Sequence, residues 1–116
     1  MLCNKEDAKT ILRKLGIERN AYIIEGWFQQ TVPLIRHNIG KIALLRIDAD
    51  LYESTKYCLE ELYNQVSPNG FIILDDYLKW GGSRKALYEF FNARNIYPPI
   101  LFYPAYGGRA YFRKPS

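Results

Sequence analysis

The chain has 116 residues, 48% of them hydrophobic, and a formal net charge of +4. That length holds one modest core rather than two domains, and the apolar share excludes a disordered polymer. No apolar run approaches the roughly 20 residues of a membrane span, the first residues lack the apolar centre of a signal peptide, and two cysteines make no disulfide framework, so a cytoplasmic protein with no membrane partner is expected.

In chain order, Asn4 caps a predicted helix in which Ala8, Ile11, Leu12 and Leu15 recur at helical spacing, and Gly16 closes it. Ala21-Tyr22-Ile23-Ile24 reads as a short parallel strand stopping at Glu25-Gly26, and Trp27 to Thr31 as a loop. Pro33 opens a further helical piece through Ile39, ended by Gly40. Ile42 to Ile47 is almost continuously apolar, as in a strand covered on both faces. Arg46 is its exception and is expected to reach a surface or a carboxylate. After Asp50, Ser54 or Thr55 caps the next helix, whose apolar face is Leu59, Leu62, Tyr63 and Val66, with Cys58 as a buried small hydrophobe. Ser67-Pro68-Asn69-Gly70 stops it, and Phe71 to Leu74 is the next strand. Gly81-Gly82-Ser83 provides a joint and a cap before a helix bearing Leu87, Phe90, Phe91 and Arg94. Ile100 to Tyr103 and Arg109 to Arg113 form a hairpin around Gly107-Gly108, with Pro104 marking an edge. Alternation of this kind specifies an α/β fold with a mostly parallel sheet.

The basic residues are scattered apart from Arg109, Arg113 and Lys114, and most aromatic residues fall inside strand and helix patterns. A nucleic-acid partner is therefore not expected.

Two strands end in carboxylates. Asp48 and Asp50 follow the first, and Asp75 and Asp76 follow the second. Adjacent parallel strands lie about 4.8 Å apart, which gathers the four groups at the sheet edge where open α/β folds place their chemistry. Crowded carboxylates repel one another, and a hard cation such as Mg²⁺ relieves that repulsion. Asp residues that merely form turns or cap helices are the plainer reading of each one singly. The Asp-x-Asp pattern also suits a haloacid-dehalogenase-like phosphatase, but Tyr52 stands where that family places threonine.

Wider wording narrows the choice. Glu25-Gly26-Trp27-Phe28-Gln29-Gln30-Thr31-Val32-Pro33, Leu44-Leu45-Arg46-Ile47-Asp48-Ala49-Asp50-Leu51-Tyr52-Glu53-Ser54-Thr55 and Ser67-Pro68-Asn69-Gly70-Phe71-Ile72-Ile73-Leu74-Asp75-Asp76-Tyr77 closely resemble the macrocin O-methyltransferase (TylF-type) family. The resemblance implies a class I, S-adenosylmethionine- and Mg²⁺-dependent O-methyltransferase acting on a small-molecule hydroxyl acceptor. By motif position it implies Asp48, Asp75 and Asp76 as metal ligands, Asp50 as the base, and Gly26 and Trp27 beside the cofactor. Tyr52, Glu53 and Tyr77 stand on the implied substrate side, with packing roles equally open to them. His37 reads as a surface residue, and Trp80 with Gly81-Gly82 as a lid or a hinge.

The family begins with a strand and a glycine-rich cofactor turn, and no such turn precedes Gly26. Residues 1–116 are accordingly expected to form a single C-terminal portion of a Rossmann-like methyltransferase domain, lacking its first two strands and exposing apolar sheet edges. The competing expectation is a non-catalytic module that binds Mg²⁺ at most, or self-associates as a homo-oligomer through that edge.

Overall fold

The structure, a computed structural model, describes residues 5–49, 51–75, 77, 81–103 and 108–116. Helix α1 spans Lys5–Lys14, with Glu6 and Asp7 in its first turn and Arg13 and Lys14 in its last, the arrangement the helix dipole favours. Gly16 takes the left-handed conformation that ends it (φ 72°). Its apolar stripe is left uncovered, Ile11 and Leu15 being 55% and 66% exposed.

The strand expected over Ala21–Ile24 is not formed. The segment joins no ladder, and Tyr22 within it is 90% exposed. A cavity of about 300 Å³ lined by Tyr22, Ile24, Leu45 and Asp48 separates it from the first strand of the sheet. Backbone pairing needs a neighbour about 4.8 Å away, and none of the described strands is that neighbour.

Helix α2 covers Phe28–Ile39, beginning ahead of Pro33 rather than at it. The Trp27 carbonyl accepts from the Gln30 N–H at 3.0 Å, the Thr31 N–H at 2.9 Å and the Thr31 hydroxyl at 3.1 Å, which starts the helix earlier than the proline suggested. Pro33 then sits inside, where its missing N–H costs one helical bond.

Strand β1 is Ile42–Ile47, helix α3 is Tyr52–Leu62, and a 3-10 turn over Tyr63–Gln65 leads into strand β2, Val66–Leu74. The Ser67-Pro68-Asn69-Gly70 stretch, expected to be a turn ahead of β2, is instead a bulge inside it. Ile42 pairs with Val66, but the next partners are Leu44 and Phe71. Asn69 takes up the irregularity with φ 68°. Gly70 has no room for a side chain, since a Cβ there would lie 2.9 Å from the carbonyl oxygens of Ala43 and Ser67. Val66, expected on the helix face, is thereby moved into the strand, where it is buried.

Helix α4 spans Gly81–Arg94, strand β3 is Leu101–Tyr103 and strand β4 is Arg109–Arg113. The sheet order is β1-β2-β4-β3. β1 and β2 are parallel, whereas β2–β4 and β4–β3 are antiparallel. The sheet is therefore mixed rather than mostly parallel, because the segment over Ala21–Ile24 contributes no strand. Asn4, Pro104 and the Gly107 part of the hairpin turn lie outside the described residues.

Strand alternation decides where the core sits. Leu45 and Ile47 of β1, Ile72 and Leu74 of β2, and Ala110 and Phe112 of β4 share one face and are buried against Leu59 of α3 and Leu87 of α4. Phe91 meets Phe112 edge-on at 5.0 Å, and Tyr63 meets Phe90 edge-on at 4.9 Å. The opposite face is more open: Leu44, Leu101 and Tyr103 are each more than half exposed. β1 is thus covered on one face, not on both. No helix among the described residues is long and apolar enough to cross a membrane.

Candidate active site

Parallel pairing brings the two acidic strand ends level. Ile47 is the partner of Leu74, and the Asp75 N–H donates to the Ile47 carbonyl at 3.1 Å. Asp48 and Asp75 therefore leave neighbouring strands at the carboxyl edge of the sheet. Asp50 and Asp76, which the sequence places beside them, lie outside the described residues.

Ala49 is fixed from two sides. The Thr55 hydroxyl donates to its carbonyl at 3.2 Å and the Ser83 hydroxyl at 3.4 Å, both side chains being buried. Neither is the helix cap the sequence suggested. α3 already starts at Tyr52, with Leu51 as a cap residue that makes no side-chain bond, and Ser83 lies within α4. Each hydroxyl reaches back to the turn between the two acidic positions. The signal available in the sequence was a pair of hydroxyl residues at the starts of the two helices that follow the carboxylates. Gly82 permits this closeness, because a Cβ there would lie 3.0 Å from the Tyr52 backbone nitrogen.

Tyr52 faces α4. Its phenol donates to Glu89, and Lys56 Nζ donates back to the phenol oxygen at 3.2 Å and pairs with Glu89 at 3.4 Å. The Tyr52 hydrogen bond, followed by Lys56, lowers the Glu89 carboxyl below its usual range. Tyr52 is thus a brace between helices. Tyr77 has a packing role too: it is 1% exposed, stacks on Phe102 at 5.6 Å, and its N–H donates to Gly108 at 2.8 Å. Burial, with the neighbouring Tyr88, pushes its phenol well above the usual range. Glu53 and His37 are exposed, and Trp80 is outside the described residues.

Gly26 and Trp27 come together with the acidic turn. With Phe28, Ala49, Leu51 and Ser54 they line a cavity of about 290 Å³. Trp27 is 70% exposed. Gly26 has φ 137°, and a Cβ on it would lie 2.8 Å from Thr31 Cγ2, so the position demands glycine. The cavity is at the small end of ligand pockets, roughly 300–1,000 Å³.

Asp48 and Asp75 offer hard oxygen donors suited to Mg²⁺. In the arrangement described, arginines engage both of them. Asp75 is only 7% exposed at its side chain; one oxygen meets the Arg46 guanidinium, and the other lies 2.8 Å from Arg109 Nε. Arg46 also stands 3.9 Å from Asp48. Among the described residues no three His, Cys, Asp or Glu side chains converge as metal ligands do.

The model of the macrocin O-methyltransferase family matches residues 3–114. The chain belongs to this family. A tetracenomycin-type 4'-O-methyltransferase from Streptomyces olivaceus is 40% identical over 77 residues, which cover 66% of this chain and 28% of that protein. Demethyldecarbamoylnovobiocin O-methyltransferase from Streptomyces niveus is 38% identical over 74 residues, covering 64% and 28%. The solved structure of the O-methyltransferase NovP superimposes with a TM-score of 0.83 at 28% identity, covering 97% of this chain and 46% of that one. An S-adenosylhomocysteine-bound methyltransferase from Podospora anserina shares the fold at a TM-score of 0.68 and 19% identity. As a macrocin O-methyltransferase family chain it spans under a third of these curated relatives and under half of the NovP chain.

Proposed function

We propose that this chain carries the proton-transfer edge of an S-adenosylmethionine-dependent O-methyltransferase whose acceptor is a hydroxyl of a small natural product, sugar-type or similar. The family match across residues 3–114 carries this reading, supported by the pairing that sets Asp48 level with Asp75. Asp50, two residues beyond Asp48, is the proposed general base: its carboxylate takes the proton of the acceptor hydroxyl as that oxygen becomes a nucleophile. Thr55 and Ser83 position it indirectly by holding Ala49. Gly26 and Trp27 are proposed to hold one end of the cofactor, the indole offering a face for stacking. S-adenosylmethionine, when bound, supplies the methyl group from its sulfonium centre. Asp48, Asp75 and Asp76 are the proposed oxygen donors for Mg²⁺, although Asp75 is engaged by arginines in the arrangement described.

Grafting residues 3–114 in place of the corresponding stretch of the Streptomyces olivaceus relative tests the reading. The chimera is expected to methylate that enzyme's own acceptor, and Asp50→Asn within it is expected to lower turnover roughly 100-fold or more. A chimera that folds and binds S-adenosylmethionine yet is indifferent to Asp50→Asn removes Asp50 from the mechanism.

The open β1 edge and the 54% exposure of Leu44 favour a second reading, a non-catalytic module that self-associates. Heat of binding on calorimetric titration of the isolated chain with S-adenosylmethionine would exclude the second.

A further inference from the structure

The arginines at the acidic edge are arranged too specifically to be a solvated rim. Alternation along β1 places Arg46 on the same face as Asp48 two residues on, and β1–β2 pairing sets Arg46 beside Ile73, two residues before Asp75. One guanidinium thus reaches both carboxylates, meeting Asp75 and standing 3.9 Å from Asp48. Arg109 approaches Asp75 from the other side, through Nε at 2.8 Å. Asp75, at 7% side-chain exposure, needs such partners, since a lone buried carboxylate is costly.

We propose that Arg46 is the resident counter-cation of this edge, and that its guanidinium and a divalent metal ion exclude one another at Asp75. The inference rests on the reading of Asp48, Asp75 and Asp76 as metal donors. Mg²⁺ binds oxygen at about 2.1 Å, so an ion sharing the Asp75 oxygen with Arg46 would stand only about 4 Å from the guanidinium nitrogen. Two cations that close repel strongly at a partly buried site. Arg46 spans Asp48 and Asp75, whereas Arg109 reaches Asp75 alone, so an ion drawn to both carboxylates competes with Arg46; the two arginine side chains are similarly exposed, at 51% and 42%. A divalent ion at Asp75 would accordingly require the Arg46 guanidinium to leave that carboxylate.

The test uses the full chain with Mn²⁺ as the probe, free ion being counted by electron paramagnetic resonance. Arg46→Gln is expected to bind Mn²⁺ on the order of ten-fold more tightly than the unmodified chain, Arg46→Lys is expected to stay near the unmodified value, and adding Asp75→Asn to Arg46→Gln is expected to abolish the gain. Equal or weaker binding by Arg46→Gln, in a chain whose own Mn²⁺ binding is lost in Asp75→Asn, overturns the exclusion and leaves the metal reading intact. No Mn²⁺ binding by any variant overturns the metal reading and the exclusion with it. If Arg46→Gln does not fold, arginine Nε–H resonances of the unmodified chain decide: Mg²⁺ is expected to displace the Arg46 signal and spare that of Arg109, and an Arg46 signal unmoved at saturating Mg²⁺ refutes the proposal.

Discussion

The Thr55 hydroxyl donates to the Ala49 carbonyl at 3.2 Å, tying the first turn of α3 back to the residue that separates Asp48 from Asp50. Thr55 is completely buried, so water does not replace the bond when it is lost. Thr55→Val keeps the shape and leaves the carbonyl with only the longer Ser83 bond, and is expected to cost about 1 kcal/mol. Ser83→Ala, which removes the longer 3.4 Å bond, is expected to cost less. Urea unfolding followed by circular dichroism ranks the two; a larger loss for Ser83→Ala would place the main support of the acidic turn on α4.

Gly70 is expected to be intolerant of any side chain. An added Cβ meets backbone oxygens of Ala43 and Ser67 at 2.9 Å, and neither can rotate away as a side chain would. Gly70→Ala is expected to lose about 1–3 kcal/mol, the usual range for overpacking. The control is Gly40→Ala, where φ is 74° and ψ −147° but no atom lies within 4 Å of the added carbon, leaving only the conformational strain of about 1–3 kcal/mol. An unfolding midpoint equal to that of the native chain for Gly70→Ala would show that β2 relaxes around the bulge.

These two sites show what was legible beforehand. β1 could be bounded from its residues, because its apolar run stops abruptly at Asp48. The start of β2 could not: proline, asparagine and glycine in sequence signal a turn, and only the parallel partner strand converts them into a bulge. The strand expected over Ala21–Ile24 fails to form for the same reason, since local composition does not specify a ladder partner. Arg46 was legible as an anomaly on an apolar strand, yet its partner Asp75 is distant in sequence and comes within reach only through strand register. Thr55 and Ser83 carried a visible polar signal that pointed to helix caps. Their true acceptor, the Ala49 carbonyl, depends on how two helices pack. Asp50 and Asp76 rest on the sequence pattern, being outside the described residues.

Cys58 is expected to be inert. It is 4% exposed in α3, and burial pushes its thiol up to about 11 from 9.0. Because the folded value is the higher one, the neutral thiol's contribution to stability is fully present below about pH 9 and is lost progressively as pH rises towards 11. Peptide-resolved mass spectrometry after iodoacetamide treatment at pH 8 is expected to find Cys58 unmodified in the folded chain and modified in urea. Rapid labelling without urea would mean that α3 opens readily from the sheet.

The open face of the sheet leads to the last prediction. Leu44 is 54% exposed in a row with Phe71, over whose ring Arg113 lies at 4.9 Å, and β1 has no partner among the described strands on its outer edge. An apolar residue beside free backbone donors and acceptors is a template for pairing with another chain. The isolated chain is therefore expected to self-associate, with sedimentation coefficients that rise with concentration. Covering one leucine contributes about 1.5–3 kcal/mol, so Leu44→Lys is expected to weaken association by roughly ten- to a hundred-fold. The substitution faces solvent in the monomer and should leave the unfolding midpoint nearly unchanged, which separates loss of the contact from loss of the fold. Sedimentation as a monomer at every soluble concentration would exclude the edge as a self-association surface, and with it the non-catalytic reading that depends on it.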